Sequence, residues 1–393
     1  MDNFQDHRPA WLEVDLDNLI YNTRLFKEII GKDVKLIATI KGNLYGAGVE
    51  HTVKLIDENG ADIFAVATMS EAIELRKFGV TKQILILGIT PVYQYKYLFE
   101  YDITPNIFNL DEARELSKEA EGRNVKKKIH VKLDTGMIRV GLDCSDKSVE
   151  QICEMARLPG IELEGIFSHF TSSEEKDKTL TRKQAEKFID FNKRVNLNGI
   201  NIPVKHISNS SAVIELPEYE NQAVRVGYGL VGLYSGPDVS HARAELKPIM
   251  QLKARIIRLR EVDKGTTIGY NCTYTVEKDN TVIATLPIGY ADGYGRVFSN
   301  LAKVYVNGKL APVRGMVCMD QMMIDVTGID CKLWDEVILF GYEEGVPTVY
   351  DLAKLTNTSD TELVNSIARR VPRVYVRDKK VVAIKDYILD QFK

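Results

Sequence analysis

Eight short apolar runs recur between residues 34 and 229, each followed by a segment of helical character. They are VKLIATI (34–40), DIFAVA (62–67), QILILG (83–88), ITPNIF (103–108), KIHVKLD (128–134), IELEGIFSHF (161–170), IPVKHIS (202–208) and AVRVGYG (223–229). Rich in Val, Ile and Leu and only weakly alternating, they read as parallel strands covered by helices on one side and filled by a barrel core on the other. Between them, Thr68 stands three residues before Glu71 and Asn109 three before Glu112. Each pair predicts a helix start at which a short side chain caps a backbone N–H and the acid reaches back. Strand then helix, eight times over, closes as an α/β fold of the (β/α)8 TIM-barrel type, with a doubly wound open sheet as the competing reading.

After residue 240 the texture changes to β-rich segments broken by turns, among them TVIATLPIG, KVYVNGKLAPV, MMIDVTG and EVILFG. Asn307–Gly308 between alternating segments is a strong hairpin signal, and Thr327–Gly328 marks a second reversal. The expected organisation is therefore a barrel over residues 1–245 and a mainly antiparallel β-domain over 246–393. The opening WLEVDL alternates, so a first strand at about 11–16 is expected to join the C-terminal domain.

Lys and Arg total 52 against 55 Asp and Glu, for a formal charge of −3. That balance argues against nucleic acid or an anionic membrane as the main partner. The five cysteines, Cys144, Cys153, Cys272, Cys318 and Cys331, form no CxxC pair and read as reduced thiols. The polar MDNFQDHRPAW does not read as a signal peptide, and no apolar stretch reaches the 18 or so residues of a membrane span. A cytoplasmic setting is expected.

The ends of barrel strands converge on one mouth, so the residues ending each run are the test of function. Lys41 follows the first run, Lys132 and Asp134 close the fifth, Ser168 and His169 the sixth, Ser208, Asn209 and Ser210 follow the seventh, and Arg225 lies in the eighth. An isolated lysine is usually a solvated loop residue, but one projected from a buried strand into an apolar mouth has its charged form disfavoured and becomes a nucleophile able to form a Schiff base. Tyr45 with Gly42, Gly46 and Gly48 suits a tight loop around an anionic group, and Gly227, Gly229 and Ser210 lie where such barrels bind phosphate. In the C-terminal half Tyr270, Tyr290 and Asp320 lie in aromatic, acidic and glycine-rich segments that suggest a face directed at another surface. Met316, Met319, Met322 and Met323 read as adaptable packing, and nothing supports a metal site, a Walker loop or a GxGxxG fingerprint.

Nine segments in order, IKGNLYGAG, KLDTGMIRVG, SHF, ISNSSA, VRVGYGLVGLY, IGYNCTY, PIGYADGYGR, VRGMVCMDQ and RRVPRVY, closely resemble the alanine racemase family along nearly the whole chain. The resemblance implies a homodimer that uses pyridoxal 5′-phosphate (PLP) on a β/α barrel, each active site being completed by the β-domain of the second subunit. It implies that Lys41 holds PLP in a Schiff base and then serves as one catalytic base, with Tyr270 of the neighbouring chain as the base on the opposite face. His169 resembles the histidine that orients this tyrosine, and Arg225 the arginine facing the pyridine nitrogen. Tyr45, Ser210, Gly227 and Tyr228 match phosphate contacts. Arg139 is similar to a residue positioning cofactor and substrate carboxylate, and Lys132 to a lysine sometimes carbamylated. Tyr290, Met319 and Asp320 match the substrate site, while Arg296 and Arg369 fall at its entrance.

Racemisation needs a base on each face of the substrate, and lysine and tyrosine can serve only where desolvation or nearby positive charge lowers their ordinarily high pKa. An arginine has no acceptor, so the pyridine nitrogen facing it stays unprotonated. The family's usual KANAYG is KGNLYG here, Ile138 replaces a glycine before Arg139, Asn271 a glycine after Tyr270, and Arg369 a tyrosine that narrows the entrance. The expected activity is interconversion of L- and D-alanine for peptidoglycan synthesis. Serine or broader lysine and ornithine racemisation is the alternative, and a non-catalytic PLP-binding homeostasis protein is the reading from another class.

Overall fold

The computed structural model describes residues 7–392. Strand β1 (Ala10–Asp15) and helix α1 (Leu16–Ile30) lead into β2 (Lys35–Thr39), β3 (Ile63–Val66), β4 (Ile84–Ile86), β5 (Ile103–Thr104), β6 (Asn106–Ile107), β7 (Lys127–Lys132), β8 (Ile161–Phe167), β9 (Val204–His206) and β10 (Ala223–Val226). The last nine overlap the eight expected runs. ITPNIF is cut into β5 and β6 at Pro105, which has no N–H to give a ladder.

All pairings among β2–β10 are parallel, in the orders β10-β2-β3-β4-β5 and β6-β7-β8-β9. Pro105 joins the two ladders on one side. On the other, the Gln222 N–H donates to Lys205 O at 3.3 Å and the Arg225 N–H to Ser208 O at 2.9 Å. The result is a closed barrel rather than an open sheet. Ile37, Ile63, Ala65, Leu85, Val204 and Ala223 pack together from its strands, the larger of them worth about 1.5–3 kcal/mol each on burial.

Thr68 and Glu71 form the reciprocal cap that their spacing predicts at the helix Met69–Lys77. The second expected cap differs. Asn109 accepts from the Asp111 N–H at 2.9 Å, an Asx turn two residues on, and Glu112 does not close a box.

The strand-rich part contains β11 (Met250–Arg255), β12 (Arg258–Val262), β13 (Thr267–Ile268), β14 (Tyr274–Thr275), β15 (Thr281–Leu286), β16 (Lys303–Val306), β17 (Lys309–Pro312), β18 (Met322–Asp325), β19 (Glu336–Phe340), β20 (Arg373–Arg377) and β21 (Lys380–Lys385). Its main sheet has the order β17-β16-β19-β11-β1-β20-β21 and is antiparallel except where β1 runs parallel to β20. Asn307 (φ 44°) and Gly308 (φ 83°) turn β16 into β17, both in the left-handed region a two-residue hairpin requires. Two helices not foreseen in the sequence, Val349–Thr356 and Asp360–Asn365, precede β20.

The chain divides into two compact units. One comprises Leu19–Leu44 and Val49–Lys247. The other takes the described residues up to Asn18, the short segment Tyr45–Gly48, and the chain from Pro248 onward. In that second unit β1 pairs with β11 and β20, and Tyr45–Gly48, which the sequence reading kept with the barrel, is held by Arg373 Nε donating to Gly46 O (3.0 Å) and Tyr375 Oη to Ala47 O (3.1 Å). Among the described residues no helix is long and apolar enough to cross a membrane.

Candidate active site

β2 stops at Thr39, and from Gly42 the backbone turns left-handed, with φ of 62° at Gly42, 56° at Asn43, 52° at Leu44, 51° at Tyr45 and 88° at Gly46. Such a conformation costs roughly 1–2 kcal/mol for each residue that is not glycine. Specific contacts offset it: the Gly42 N–H donates to Glu71 Oε1 (2.7 Å), the Val49 N–H donates to Asn43 Oδ1 (3.0 Å), and Leu44 is fully buried. Glu71 thus caps its own helix with one oxygen and pins the turn after Lys41 with the other.

Lys41 stands immediately before this turn. It is exposed to solvent at one end, and its amine is lowered from the usual lysine value by desolvation, then by the guanidiniums of Arg139 and Arg225, against a pull from Glu71. Burial and positive neighbours act here in the same direction, the two causes named from sequence.

Arg225, on β10 beside Ile37 of β2, is 5% exposed. Its NH2 donates to Nδ1 of His169 (3.0 Å) and to the carbonyls of Ser168 (2.7 Å) and Ile207 (3.1 Å). NH1 donates to Nδ1 of His206 (2.8 Å) and to His206 O (3.1 Å). Nε makes no hydrogen bond to the described residues and remains available to a ligand. Burial, then Arg139, pulls the guanidinium down to about 9. His169 lies well below the usual imidazole range, through desolvation and then Arg225, Lys132, Arg139 and Lys41, and is therefore neutral.

Lys132 ends β7, 5% exposed, its ammonium 4.5 Å from the centre of the Phe167 ring. Desolvation, then Arg225 and Arg139, lower it well below the usual value. Beyond it, Asp134 Oδ1 accepts from the N–H groups of Gly136 and Met137, both at 2.8 Å, and anchors the loop carrying Ile138 and Arg139. Burial alone would raise this carboxyl, but the backbone donors of residues 136–139 outweigh it and hold it low. Ile138 has φ 55°, the conformation that the usual glycine would accommodate without strain.

At the end of the ring, Ser210 Oγ accepts from the N–H groups of Gly227 and Gly229, each at 3.2 Å. A Cβ at Gly229 would strike the Phe26 ring, so backbone and serine approach closely only with glycine there. Tyr228 is buried next to Gly227. Tyr45 is buried as well, and desolvation pushes its phenol above the ordinary tyrosine value.

The fit to an anionic cofactor can be judged from charge. Lys41, Lys132, Arg139 and Arg225 gather around His169 close enough to perturb it, and among the described residues none of the four forms an ion pair with an acid. A cluster of basic side chains without a salt-bridged acid, beside a Ser–Gly–Gly corner, suits a group carrying phosphate and phenolate charge.

The remaining expected site residues lie in the strand-rich unit. Tyr270 is 68% exposed, Met319 51% and Tyr290 40%, and Arg296 is exposed too. Tyr290 and Met319 belong to adjoining loops: the Tyr290 N–H donates to Cys318 O and the Ala291 N–H to Met319 O, both at 3.0 Å. Asp320 Oδ1 accepts from Arg370 NH2 (2.6 Å). Arg369 is exposed, its guanidinium 5.6 Å from the centre of the Tyr387 ring. Sequence reasoning missed the hub beneath them. Asp292 is fully buried and accepts from both terminal nitrogens of Arg8 and from Arg370 Nε (2.6 Å). It also missed His206, whose signal was a histidine inside an apolar run, in VKHI.

Comparison with known proteins places this arrangement. Residues 14–235 match the family described as alanine racemase, N-terminal domain, and residues 249–375 that described as alanine racemase, C-terminal domain. Alanine racemase 2 of Caldanaerobacter subterraneus subsp. tengcongensis is 45% identical over 387 residues, 98% of this chain and 99% of its own. The structure of alanine racemase from Clostridium difficile 630 superposes with a TM-score of 0.93 at 38% identity, covering 97% of this chain and 99% of that one. That from Bacillus anthracis, with bound L-Ala-P, gives 0.92 at 32% identity over 98% and 99%. Matched in both halves by one family and nearly half identical to a member over almost its full length, the chain belongs to the alanine racemase family, PLP-dependent racemases of fold type III.

Proposed function

We propose that the protein interconverts L- and D-alanine, supplying D-alanine for peptidoglycan, in the cytoplasm and as a homodimer with composite sites. The observation that carries this reading is the set of four basic side chains, Lys41, Lys132, Arg139 and Arg225, gathered about a neutral His169 with no salt-bridged acid among the described residues. PLP, when bound, supplies an electron sink that makes the substrate's α-proton acidic.

Residues up to about 245 hold the cofactor and those from 246 to 393 supply the second base. Lys41 would anchor the cofactor, Ser210, Gly227, Tyr228 and Tyr45 would take its phosphate, and Arg225 would face its ring nitrogen. Because a guanidinium only donates, Arg225 would keep that nitrogen unprotonated. Arg139 and a backbone group of Met319 meet the substrate carboxylate, with Tyr290, Asp320, Arg296 and Arg369 at the substrate site and its approach. Lysine's amine, released and lowered in pKa by its surroundings, moves a proton on one face. Tyr270 of the partner subunit moves one on the other, its oxygen accepting from Nε2–H of His169. Supporting the composite site, Tyr270 presents a largely uncovered phenol on its own chain. Lys132 carries a carbamate, since a buried amine kept neutral is the form that reacts with carbon dioxide.

The test is a chiral amino-acid panel run in both directions with PLP-saturated protein. Alanine should be converted from either enantiomer to an equal mixture, ahead of serine, lysine and ornithine. A faster reaction with one of the others would shift the substrate, and no turnover of any would overturn the reading. Arg369, in place of an entrance tyrosine, is the one observation that favours wider substrate acceptance. The PLP-homeostasis alternative is set aside, since the family match includes the C-terminal domain over residues 249–375.

A further inference from the structure

Two fully buried histidines lie deeper in the barrel, His130 on β7 and His206 on β9. Their rings join Arg225 to a carboxylate on β8. Arg225 NH1 lies 2.8 Å from His206 Nδ1, His206 Nε2 lies 2.9 Å from His130 Nδ1, and His130 Nε2 lies 3.3 Å from Glu164 Oε2. Glu164 also accepts from Lys128 Nζ at 2.7 Å and from Gln83 Nε2.

The two ends of this chain have fixed polarity. A guanidinium can only donate, and an ionised carboxylate can only accept. Arg225 therefore makes Nδ1 of His206 an acceptor, which puts that ring's proton on Nε2. Nε2–H then donates to His130 Nδ1, which puts the second ring's proton on Nε2 as well, facing Glu164. Both rings are neutral, because a second proton on either would set two N–H groups against each other. Desolvation, the largest influence on each ring, acts in the same direction.

A chain of this kind has only two complete arrangements, the one described and its reversal, because turning one tautomer forces the other. The reversed form sets Nδ1–H of His206 against Arg225, so the guanidinium loses an acceptor. Packing holds the rings in place: Phe167 stacks on His206 with centroids 4.8 Å apart and planes 3° from parallel, and Gly165 leaves the room beside the His130 ring that a Cβ would occupy.

We propose that Glu164 is a positioning residue that ends a one-way hydrogen-bond chain, fixes the tautomers of His130 and His206, and so fixes the orientation of Arg225. Its bearing on turnover rests on the reading that Arg225 faces the cofactor ring. The tautomers themselves do not depend on that reading. Glu164→Leu removes the acceptor. Glu164→Gln keeps the shape but can turn its amide to donate, which admits the reversed chain. Glu164→Asp keeps the polarity.

The experiment is ring-nitrogen NMR of holoenzyme with 15N-labelled histidine near neutral pH, alongside the absorbance of bound PLP and steady-state kinetics with alanine. His130→Asn and His206→Asn samples supply the assignments. Both rings should be neutral with the proton on Nε2 in the wild type. Glu164→Gln and Glu164→Leu should populate Nδ1–H at His206, shift the cofactor absorbance, and lower kcat about ten-fold with little change in KM. Glu164→Asp should restore much of the wild-type pattern. A wild-type imidazolium or Nδ1–H at His206 would overturn the proposal, as would unchanged tautomers in the Gln variant, which is isosteric and folds if Leu does not. A fall in kcat without a tautomer change would mean a merely structural role and would also overturn it. Absence of racemisation in the wild type would count against the functional reading alone.

Discussion

Arg225 donates to Nδ1 of His169 at 3.0 Å, which leaves the only proton of that imidazole on Nε2. The histidine is thus a fixed donor rather than a base. Whatever acceptor meets Nε2 is stabilised as an anion, and a tyrosine oxygen so placed gives up its proton more readily.

That polarity underlies a test by subunit mixing. Lys41 lies in the barrel unit and Tyr270 in the strand-rich unit, and in the proposed dimer the pair that works together comes from different chains. Neither Lys41→Ala nor Tyr270→Phe homodimers should racemise efficiently. A heterodimer of the two has one intact site and one doubly damaged site, so exchange of subunits should bring back appreciable activity. Native mass spectrometry showing PLP-loaded heterodimer with no recovery would refute the cross-subunit arrangement.

Borohydride reduction followed by peptide mass spectrometry should find the pyridoxyl group on Lys41. The lowered amine of this lysine favours attack on the cofactor's aldehyde, and no other residue of the left-handed turn carries an amine. Lys41→Ala should leave the protein without a reducible bond to PLP and cut racemisation by orders of magnitude. Recovery of the label on Lys132 with Lys41 unmodified would reassign the anchor.

Arg369→Tyr should change which amino acids are accepted while leaving proton transfer intact. The side chain is exposed, its guanidinium beside the Tyr387 ring, and among the described residues it forms no salt bridge with an acid. Relative kcat/KM for alanine, serine, lysine and ornithine should therefore shift, with the cationic substrates gaining most once the positive charge is removed. Identical ratios across the panel would exclude a gating role.

Glu164 links stability to acid. Burial would raise its carboxyl, but hydrogen bonds from His130, Lys128 and Gln83 outweigh it and hold it down to about 2, below an ordinary value of 4.5. A depressed carboxylate stabilises the folded state above the unfolded pKa and loses that contribution as pH falls through the folded one. The difference corresponds to about 3 kcal/mol. Denaturant unfolding of Glu164→Gln should show about that deficit at neutral pH, shrinking below about 4.5 and vanishing towards 2. A deficit independent of pH would show that the charge contributes nothing.

The barrel was legible because parallel strands buried on both faces leave unbroken apolar runs, and because Thr68 with Glu71 and Asn307 with Gly308 act through near neighbours. Lys41, Lys132, His169 and Arg225 were legible as polar residues at the ends of such runs. What stayed hidden depends on distant partners. Asp292 went unnoticed because nothing near it in sequence announces Arg8, 284 residues away, or Arg370. His130 and Glu164 lie within strands, where one polar residue looks like an outward-facing position until the partner strand is known. The helix Val349–Thr356 was recoverable, since Thr348 and Asp351 form a capping box at the spacing that exposed Thr68.

The left-handed segment from Gly42 to Gly46 inverts the usual table of acceptable replacements. In a right-handed helix alanine and leucine rank first, and glycine and asparagine near the bottom. At Gly42 and Asn43 the order runs the other way, so a library built on ordinary helix preference would choose the worst residues for the two positions after Lys41. Valine or isoleucine at position 43 should be the least tolerated, while aspartate or glycine should pass. Random mutagenesis with selection for D-alanine synthesis should therefore return a narrow, glycine- and asparagine-rich alphabet at these two positions, set by the handedness of the backbone.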